Sequence, residues 1–178
     1  MKVIRGVAGR VGRRKQLAVI VDGPNILRKE LGLDLEEIRK ISESMGRVRK
    51  AVVVLNRQAP EKLVEAVANA GFDVKISFGK PEVDFTIAAM EAAFTDKIQT
   101  LILATRSAAY LPIIHKIKEI GKEVVVIGAE PGFSVALKKA ADLSLALGES
   151  STKSPDTRDQ RQNDSRKAKR NKNTKKES

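Results

Sequence analysis

The stretch from Thr100 to Ile127, TLILATRSAAYLPIIHKIKEIGKEVVVI, shows in one place the pattern that decides the fold. It opens and closes with short continuous apolar runs, which are typical of strands buried on both faces. The segment between them has the 3.6-residue period of a helix, and Gly121 stands where that helix should end. A strand, a helix and a second strand in this order predict two parallel strands joined by a crossover helix.

The same alternation extends along the chain in both directions from this stretch. The predicted strands are LAVIV from Leu17, VRKAVVVL ending at Leu55, DVKISF ending at Phe78, TLILA ending at Ala104, EVVVI ending at Ile127 and LSLAL from Leu143. The predicted helices are Leu35 to Met45, Glu61 to Ala70, Phe85 to Phe94, Ala108 to Ile120 and Ser134 to Ala141. Six strands alternating with five helices predict a three-layer, Rossmann-like α/β fold with a mainly parallel central sheet and right-handed crossovers.

The net charge of +12 is carried by the two ends of the chain. Residues 1–16 hold six basic and no acidic side chains, and residues 151–178 hold ten basic and four acidic ones. Neither end has enough large apolar side chains to form a core, so we expect a flexible basic arm over residues 1–16 and a disordered basic tail over residues 149–178. The folded domain is then predicted to span residues 17–148.

Composition excludes several classes of protein. The chain has no cysteine, which excludes a disulfide framework and a thiol nucleophile and favours a cytoplasmic location. Its longest apolar runs, such as Leu17 to Val21, are a quarter of the ~20 residues that a membrane-spanning helix needs. Aromatic residues make up 3% of the chain and tryptophan is absent, which argues against a platform of stacked rings for RNA bases.

Polar side chains follow the predicted strands at the carboxyl edge of the sheet, where ligands bind in folds of this type. Asp22 comes directly after the first strand, and an aspartate there is costly to bury unless it is paired or bound to a metal. It could instead be a turn residue that caps the nearby backbone. Asp84 follows the third strand and could equally be the N-cap of a helix that starts at Phe85.

Taken together, Asp22 and Asp84 suggest a metal site. Carboxylates that converge on one edge, in a chain with no cysteine and a single histidine, are the oxygen ligands that Mg²⁺ or Mn²⁺ prefers. Such an ion would activate water and neutralise a phosphodiester during its hydrolysis. Other edge residues are candidates for substrate contact, with a turn or ion-pair role as the alternative: Lys80, Thr105, Arg106 and Ser107.

Three segments give the chain a family resemblance: VIVDGPNI, KPEVDFTIAAM, and the long segment LILATRSAAYLPIIHKIKEIGKEVVVIGAEPGFSVALKKAADLSLAL. They are similar to the NYN domains, a PIN-like nuclease group, and most similar to its archaeal branch. The resemblance covers Leu17 to Leu147. It implies a sheet whose carboxyl edge holds a divalent metal and cleaves RNA, with Asp22 and Asp84 as metal ligands and Asn25 orienting a ligand or the substrate.

The chain departs from this family after the fourth strand. Family members usually carry two aspartates there, in a pattern like Asp-x-Asp-Phe-x-Pro, and this chain has Ser107 and Ala109 at those positions. A serine hydroxyl can hydrogen-bond a metal-bound water, but an alanine offers nothing. The metal site is therefore expected to bind Mg²⁺ or Mn²⁺ weakly. Three glutamates are possible substitutes for the missing acids: Glu82, Glu91 and Glu130.

The sequence leaves three functional hypotheses. One is a metal-dependent endoribonuclease with a reduced ligand set, and another is a catalytically inactive RNA-binding protein that uses its basic ends. Neither end forms an amphipathic helix, so a membrane surface is the weaker partner; a homodimer is possible. A nucleotide-binding enzyme is the third, and it is disfavoured because no glycine-rich phosphate loop follows the first strand.

Overall fold

The structure is a computed structural model that describes residues 14–28, 31 and 33–147. Its strands are β1 (Gln16–Asp22), β2 (Arg47–Asn56), β3 (Asp73–Ser77), β4 (Thr100–Ala104), β5 (Glu123–Ala129) and β6 (Leu143–Leu147). Its helices are α1 (Gly23–Ile26), α2 (Leu35–Met45), α3 (Glu61–Asn69), α4 (Pro81–Ala93), α5 (Leu111–Glu119) and α6 (Val135–Ala140). The predicted tail, and the predicted arm up to residue 13, lie outside the described residues.

The six strands form one sheet in the order β3-β2-β1-β4-β5-β6, and every neighbouring pair is parallel. The predicted three-layer α/β fold is therefore confirmed. The strand order reverses beside β1, which pairs with β2 on one side and β4 on the other. The crevice beyond the carboxyl ends of β1 and β4 is consequently the place where an open α/β sheet binds its ligands.

The two faces of the sheet carry separate apolar cores. Residues at alternate positions of β1, such as Ala18 and Ile20, pack against Phe85 of α4 and the helices that follow it. The intervening residues, such as Val19 and Val21, pack on the other face against α2 and α3. The strands are apolar on both sides because both sides are covered, which is why they read as continuous runs in the sequence.

The predicted element boundaries are right for α2, β4 and β6 and differ elsewhere. Helix α4 begins at Pro81 rather than at the predicted Phe85, because proline is well suited to the first turn of a helix. The predicted helix from Ala108 starts instead as a 3₁₀ turn over Ala108–Tyr110, and α5 begins only at Leu111. The short helix α1 was not predicted.

Helix α4, with 13 residues, is apolar on more than its buried side. Phe85, Ala89 and Ala92 of this helix face the core, whereas Val83 and Ile87 remain largely exposed. In the part of the chain that the structure describes, neither α4 nor any other helix is long and apolar enough to cross a membrane.

Candidate functional site

The candidate site is built around Asp22, the last residue of β1. Its side chain is only 1% exposed and lies on the face that α4 covers. Gly23 permits this arrangement because a Cβ atom there would lie 2.6 Å from the carbonyl oxygen of Val54 and 2.5 Å from the side chain of Leu55. The chain therefore turns into α1 directly against β2, and this turn fixes Asp22 and Asn25 together at the carboxyl edge.

Two neighbouring side chains donate hydrogen bonds to one oxygen of the Asp22 carboxyl. The Asn25 Nδ2 lies 2.7 Å and the Thr105 Oγ1 3.0 Å from Asp22 Oδ2. Burial raises the pKa of Asp22, and the hydrogen bonds from Asn25 and Thr105 oppose that rise. Asp22 is the N-cap residue of α1 but makes no cap bond of normal geometry, although the Asn25 backbone also opposes the rise in its pKa.

Tyr110 closes the inner side of the site. Its side chain is 1% exposed, and its ring centroid lies 4.3 Å from that of Phe85, as expected for a core residue. The hydroxyl is buried without a hydrogen-bond partner of normal geometry. Burial, together with the nearby charges of Asp22 and Glu82, raises the pKa of Tyr110, so its hydroxyl stays protonated next to the Asp22 carboxylate.

The two positions at which the family pattern has aspartates lie close to Asp22 along a chain of hydrogen bonds. The Ser107 amide nitrogen lies 3.3 Å from Thr105 Oγ1, which in turn donates to Asp22. The Ser107 hydroxyl accepts a hydrogen bond from the Ala109 amide at 3.3 Å and so caps the 3₁₀ turn. Ser107 is therefore linked to Asp22 through Thr105. Ala109 is exposed and offers no polar side chain to the site.

Asp84 forms an ion pair with a lysine on the face of the sheet that also carries Asp22. It lies in the first turn of α4, whose N-cap is Lys80, so the N-cap alternative for Asp84 is wrong. Its Oδ1 forms an ion pair at 3.5 Å with the Nζ of Lys75 on β3. Lys75 and Asp22 are both in register with Val54, one on each side, so their Cα atoms are two strand spacings apart, about 10 Å.

The remaining candidates have other contacts. Arg106 donates to the carbonyl oxygen of Pro131 at 2.7 Å and pairs with neither Glu82 nor Asp84. Glu91 pairs with Lys50 at 3.2 Å. Glu130 pairs with Lys138, whose hydrogen bond lowers the pKa of that glutamate. Of the other residues proposed to contact substrate, Lys80 is exposed at the edge and Thr105 is fully buried beside Asp22.

These residues do not fit a preformed divalent-metal centre. Across residues 14–28, 31 and 33–147, no three His, Cys, Asp or Glu side chains are grouped closely enough to hold a metal ion. Asp22 already receives two hydrogen bonds on one oxygen, and Asp84 is paired with Lys75. A divalent cation could contact the other oxygen of Asp22, but it would then have to separate Asp84 from Lys75 or recruit the exposed Glu82.

Sequence reasoning missed Lys75 as a partner of Asp84. The only signal for Lys75 is its position in DVKISF, between Val74 and Ile76. Because side chains alternate along a strand and these two face α3, Lys75 faces α4. Recognising the pair also requires the register of β3 on β2, which the sequence does not specify.

The chain is similar to known proteins in both sequence and fold. A family model described as NYN domain matches residues 16–148. An uncharacterized protein of Methanocaldococcus jannaschii is 47% identical over 134 residues, which are 75% of this chain and 56% of that protein, so the chain spans little more than half of its relative. A crystal structure of a protein of unknown function from Vibrio parahaemolyticus shares the fold, with a TM-score of 0.68 at 18% identity over 77% of this chain and 95% of that one.

Proposed function

Because the chain belongs to the NYN domain family, which implies an RNA-related function of the nuclease type, we propose that it binds RNA through a nuclease fold whose metal-dependent cleavage site is depleted. The observation that carries this proposal is the pair Ser107 and Ala109. Both lie at the edge beside Asp22, where the family pattern has carboxylates, and neither can supply a charge.

The chemistry of the remaining acids supports binding without efficient cleavage. Mg²⁺ gives up its waters reluctantly and needs a geometry close to octahedral, so it requires several oxygen ligands that are already in place. At this edge the buried Asp22 offers one carboxyl group, and two donors already use one of its oxygens. Asp84 would have to leave Lys75 before it could help.

RNA binding needs less from the site than hydrolysis does. Phosphate contacts require cations and hydrogen-bond donors in an approximate arrangement, whereas cleavage requires a metal and a water in a fixed one. Lys80 is exposed at the carboxyl edge, and the amino acids beyond Leu147, where β6 ends at the same edge, are strongly basic. These cations can hold a phosphate backbone across the edge that Asp22 marks.

The test measures RNA binding and RNA cleavage separately for the full chain and for Asp22→Asn. Binding of a labelled single strand in EDTA should agree between the two within about twofold, since removing one buried carboxylate removes no phosphate contact. With Mn²⁺ added, neither protein should produce fragments that the other lacks. Metal-dependent cleavage by the wild type that Asp22→Asn abolishes would overturn the proposal.

The second candidate is a metal-dependent endoribonuclease with a reduced ligand set. It is favoured by the way Asn25 and Thr105 hold the buried Asp22 carboxyl in one orientation, as expected for a group that positions a ligand. That candidate predicts cleavage by the wild type in the experiment just described.

Restoring the two family aspartates tests whether the edge has kept the geometry of a metal site. We expect Ser107→Asp combined with Ala109→Asp to raise Mn²⁺ affinity at least about tenfold by calorimetric titration, or about 1.4 kcal/mol. Ala108→Asp combined with Gly79→Asp is the matched control because it adds the same two charges at exposed positions that follow strands of the same edge. Equal affinity in the control and the restored protein would show that added charge, not site geometry, attracts the ion.

A further inference from the structure

Two adjoining cavities open at the amino edge of the sheet, where the strands begin, at the far end of β1 from Asp22. One of about 220 Å³ is lined by Gln16, Arg49, Lys97 and other polar residues. The second, of about 530 Å³, is lined by Arg14, Arg47 and again by Gln16 and Arg49. The two shared residues join the cavities into one continuous surface, here called the amino-edge groove.

The amino-edge groove gathers cations that have no acidic partner within the described residues. Arg14, Arg47, Arg49 and Lys97 form no ion pair there. Of the two acidic residues in the groove, Glu43 is bound by Arg39 at 2.9 Å, which leaves only Asp96 against the four cations.

A neighbouring cavity at the same edge shows the contrast. Two of its three cations are neutralised: Lys15 pairs with Glu123 at 2.7 Å, and Lys118 with Asp142 at 2.8 Å. The third, Lys122, donates to the carbonyl oxygens of Thr95 and Ile98. The hydrogen bond from Lys15 also lowers the pKa of Glu123, which keeps that partner ionised. The amino-edge groove therefore holds four cations without an ion pair, against one in the neighbouring cavity.

Arg49 is presented to the groove by an irregularity in the sheet. Leu17 pairs with Val48 and Ala18 pairs with Lys50, so Arg49 is the extra residue of a β-bulge. Such bulges are rare between parallel strands and redirect a side chain. The Arg49 Nε donates to the side-chain oxygen of Gln16, and its two Nη groups make no hydrogen bond within the described residues. This leaves the fork of the guanidinium, which matches a phosphate, free.

The backbone leading into β1 is fixed against the groove. The Arg47 amide donates to the carbonyl oxygen of Lys15 at 2.8 Å. Gly46 allows this contact because a Cβ atom there would lie 2.4 Å from the same oxygen. Arg14 is thereby held beside Arg47, and the residues that precede it in the sequence include four more cations: Lys2, Arg5, Arg10 and Arg13.

We propose that the amino-edge groove binds the phosphate backbone of single-stranded RNA as a second contact surface, remote from the site at Asp22. The inference rests on the proposed RNA function and adds to it the length of RNA that is bound. The seven residues of β1 separate the two edges by about 23 Å. An RNA strand that touches both edges of the sheet must therefore be several nucleotides long. A short oligonucleotide can occupy only one of the two edges.

RNA fits the groove better than a membrane does. None of the large exposed apolar side chains of the described region lines it, so it offers nothing to insert into lipid. The unpaired arginine forks suit phosphodiesters, and Gln16 supplies a further polar side chain beside them.

The test uses the full chain and a labelled single-stranded RNA of about 20 nucleotides, in EDTA, over a series of salt concentrations. We expect Arg47→Gln combined with Arg49→Gln to weaken binding about tenfold and to reduce the slope of log K against log salt by about 1.4, or about 0.7 for each lost phosphate contact. The matched control, Lys62→Gln with Lys139→Gln, removes two exposed charges from α3 and α6 that form no ion pair within the described residues. It should change affinity by less than about twofold.

The outcomes separate this inference from the proposed function. Equal losses in the groove variant and its control would overturn the inference and leave RNA binding at the carboxyl edge intact. A wild type that does not bind the RNA would overturn both. Arg47→Lys with Arg49→Lys should keep the wild-type slope because both charges remain, and an unchanged melting temperature in each variant excludes misfolding as the cause. EDTA removes divalent ions, so cleavage plays no part in the result.

Discussion

The Asp22 carboxyl is buried at the end of a wholly apolar strand, and its surroundings decide what it can do. Asn25 and Thr105 donate to one of its oxygens, and Tyr110 closes the inner side with a hydroxyl that lies close to the carboxyl but has no partner of normal hydrogen-bond geometry. Burial still raises the pKa of Asp22. The native state therefore binds the Asp22 proton more tightly than the unfolded chain does, and it loses stability as that proton leaves.

This linkage predicts a gain in stability for Asp22→Asn that depends on pH. Because the pKa of Asp22 is raised in the native state, wild-type stability falls as the pH rises from the ordinary aspartate value through the raised one. Asparagine does not titrate, so the variant should be more stable than the wild type at neutral pH, and this gain should fade as the pH falls to the ordinary aspartate pKa. Thermal melts across this pH range measure the difference.

Asp142 provides a control of opposite sign. Hydrogen bonds from Lys118 and from the Val124 amide lower the pKa of Asp142. Its contribution to stability is therefore present above the ordinary aspartate pKa and is lost as the pH falls. Asp142→Asn should accordingly lower the melting temperature at neutral pH and lose that effect in acid. The same trend in both variants would contradict the assigned burial of Asp22.

Site residues could be predicted from the sequence where they lie at or just after the end of a strand. Asp22, Asn25 and Thr105 were expected at one edge and do lie together there, because parallel strands end on the same side of the sheet. Asp84 was also expected at this edge, and its ion pair with Lys75 could not be read from the sequence. Its position depends on where α4 crosses the sheet, and that crossing is set by packing between distant segments rather than by local pattern.

At the scale of elements, the turn from β1 into α1 controls the geometry of the site. This turn is tight because Gly23 has no side chain and packs against the backbone of β2. The helix that follows is a single turn long, too short for its period to be recognised in the sequence. The longer elements were predictable because each carries several apolar residues with the same period.

Gly23→Ala is expected to disrupt this turn. The added methyl group would overlap the Val54 carbonyl, which cannot move without breaking the ladder between β1 and β2. We expect a loss of about 2 kcal/mol in the free energy of unfolding, measured by chemical denaturation. Gly79→Ala is the control, since a Cβ atom at that position has no neighbour within 4 Å. Similar losses in the two variants would show that the close approach at Gly23 is unimportant.

The whole molecule combines a folded body of balanced charge with two basic ends. Residues 17–150 contain 18 basic and 18 acidic side chains, so the net positive charge lies outside this body. In the part of the chain that the structure describes, the apolar cores are built from residues between Leu17 and Leu147. Charge and folding are thus carried by different parts of the chain, and they can be altered separately.

Removing residues 149–178 should therefore weaken RNA binding without affecting stability. The segment 151–178 contributes a net charge of +6, and losing several phosphate contacts should reduce affinity about tenfold or more at low salt. The melting temperature should stay the same because the last strand ends at Leu147. Replacing the segment with an uncharged one of equal length separates charge from length. Undiminished binding by the truncated chain would contradict the role given to the tail.

The parallel sheet also determines how the domain responds to mechanical load. The described chain enters β1 at the amino edge and leaves β6 at the carboxyl edge, with β4 and β5 between these two strands. Tension applied through the two ends is therefore directed along the strands and shears the ladders that join them. Many hydrogen bonds must fail together under such a pull, so the sheet should resist stretching more strongly than one that unzips pair by pair.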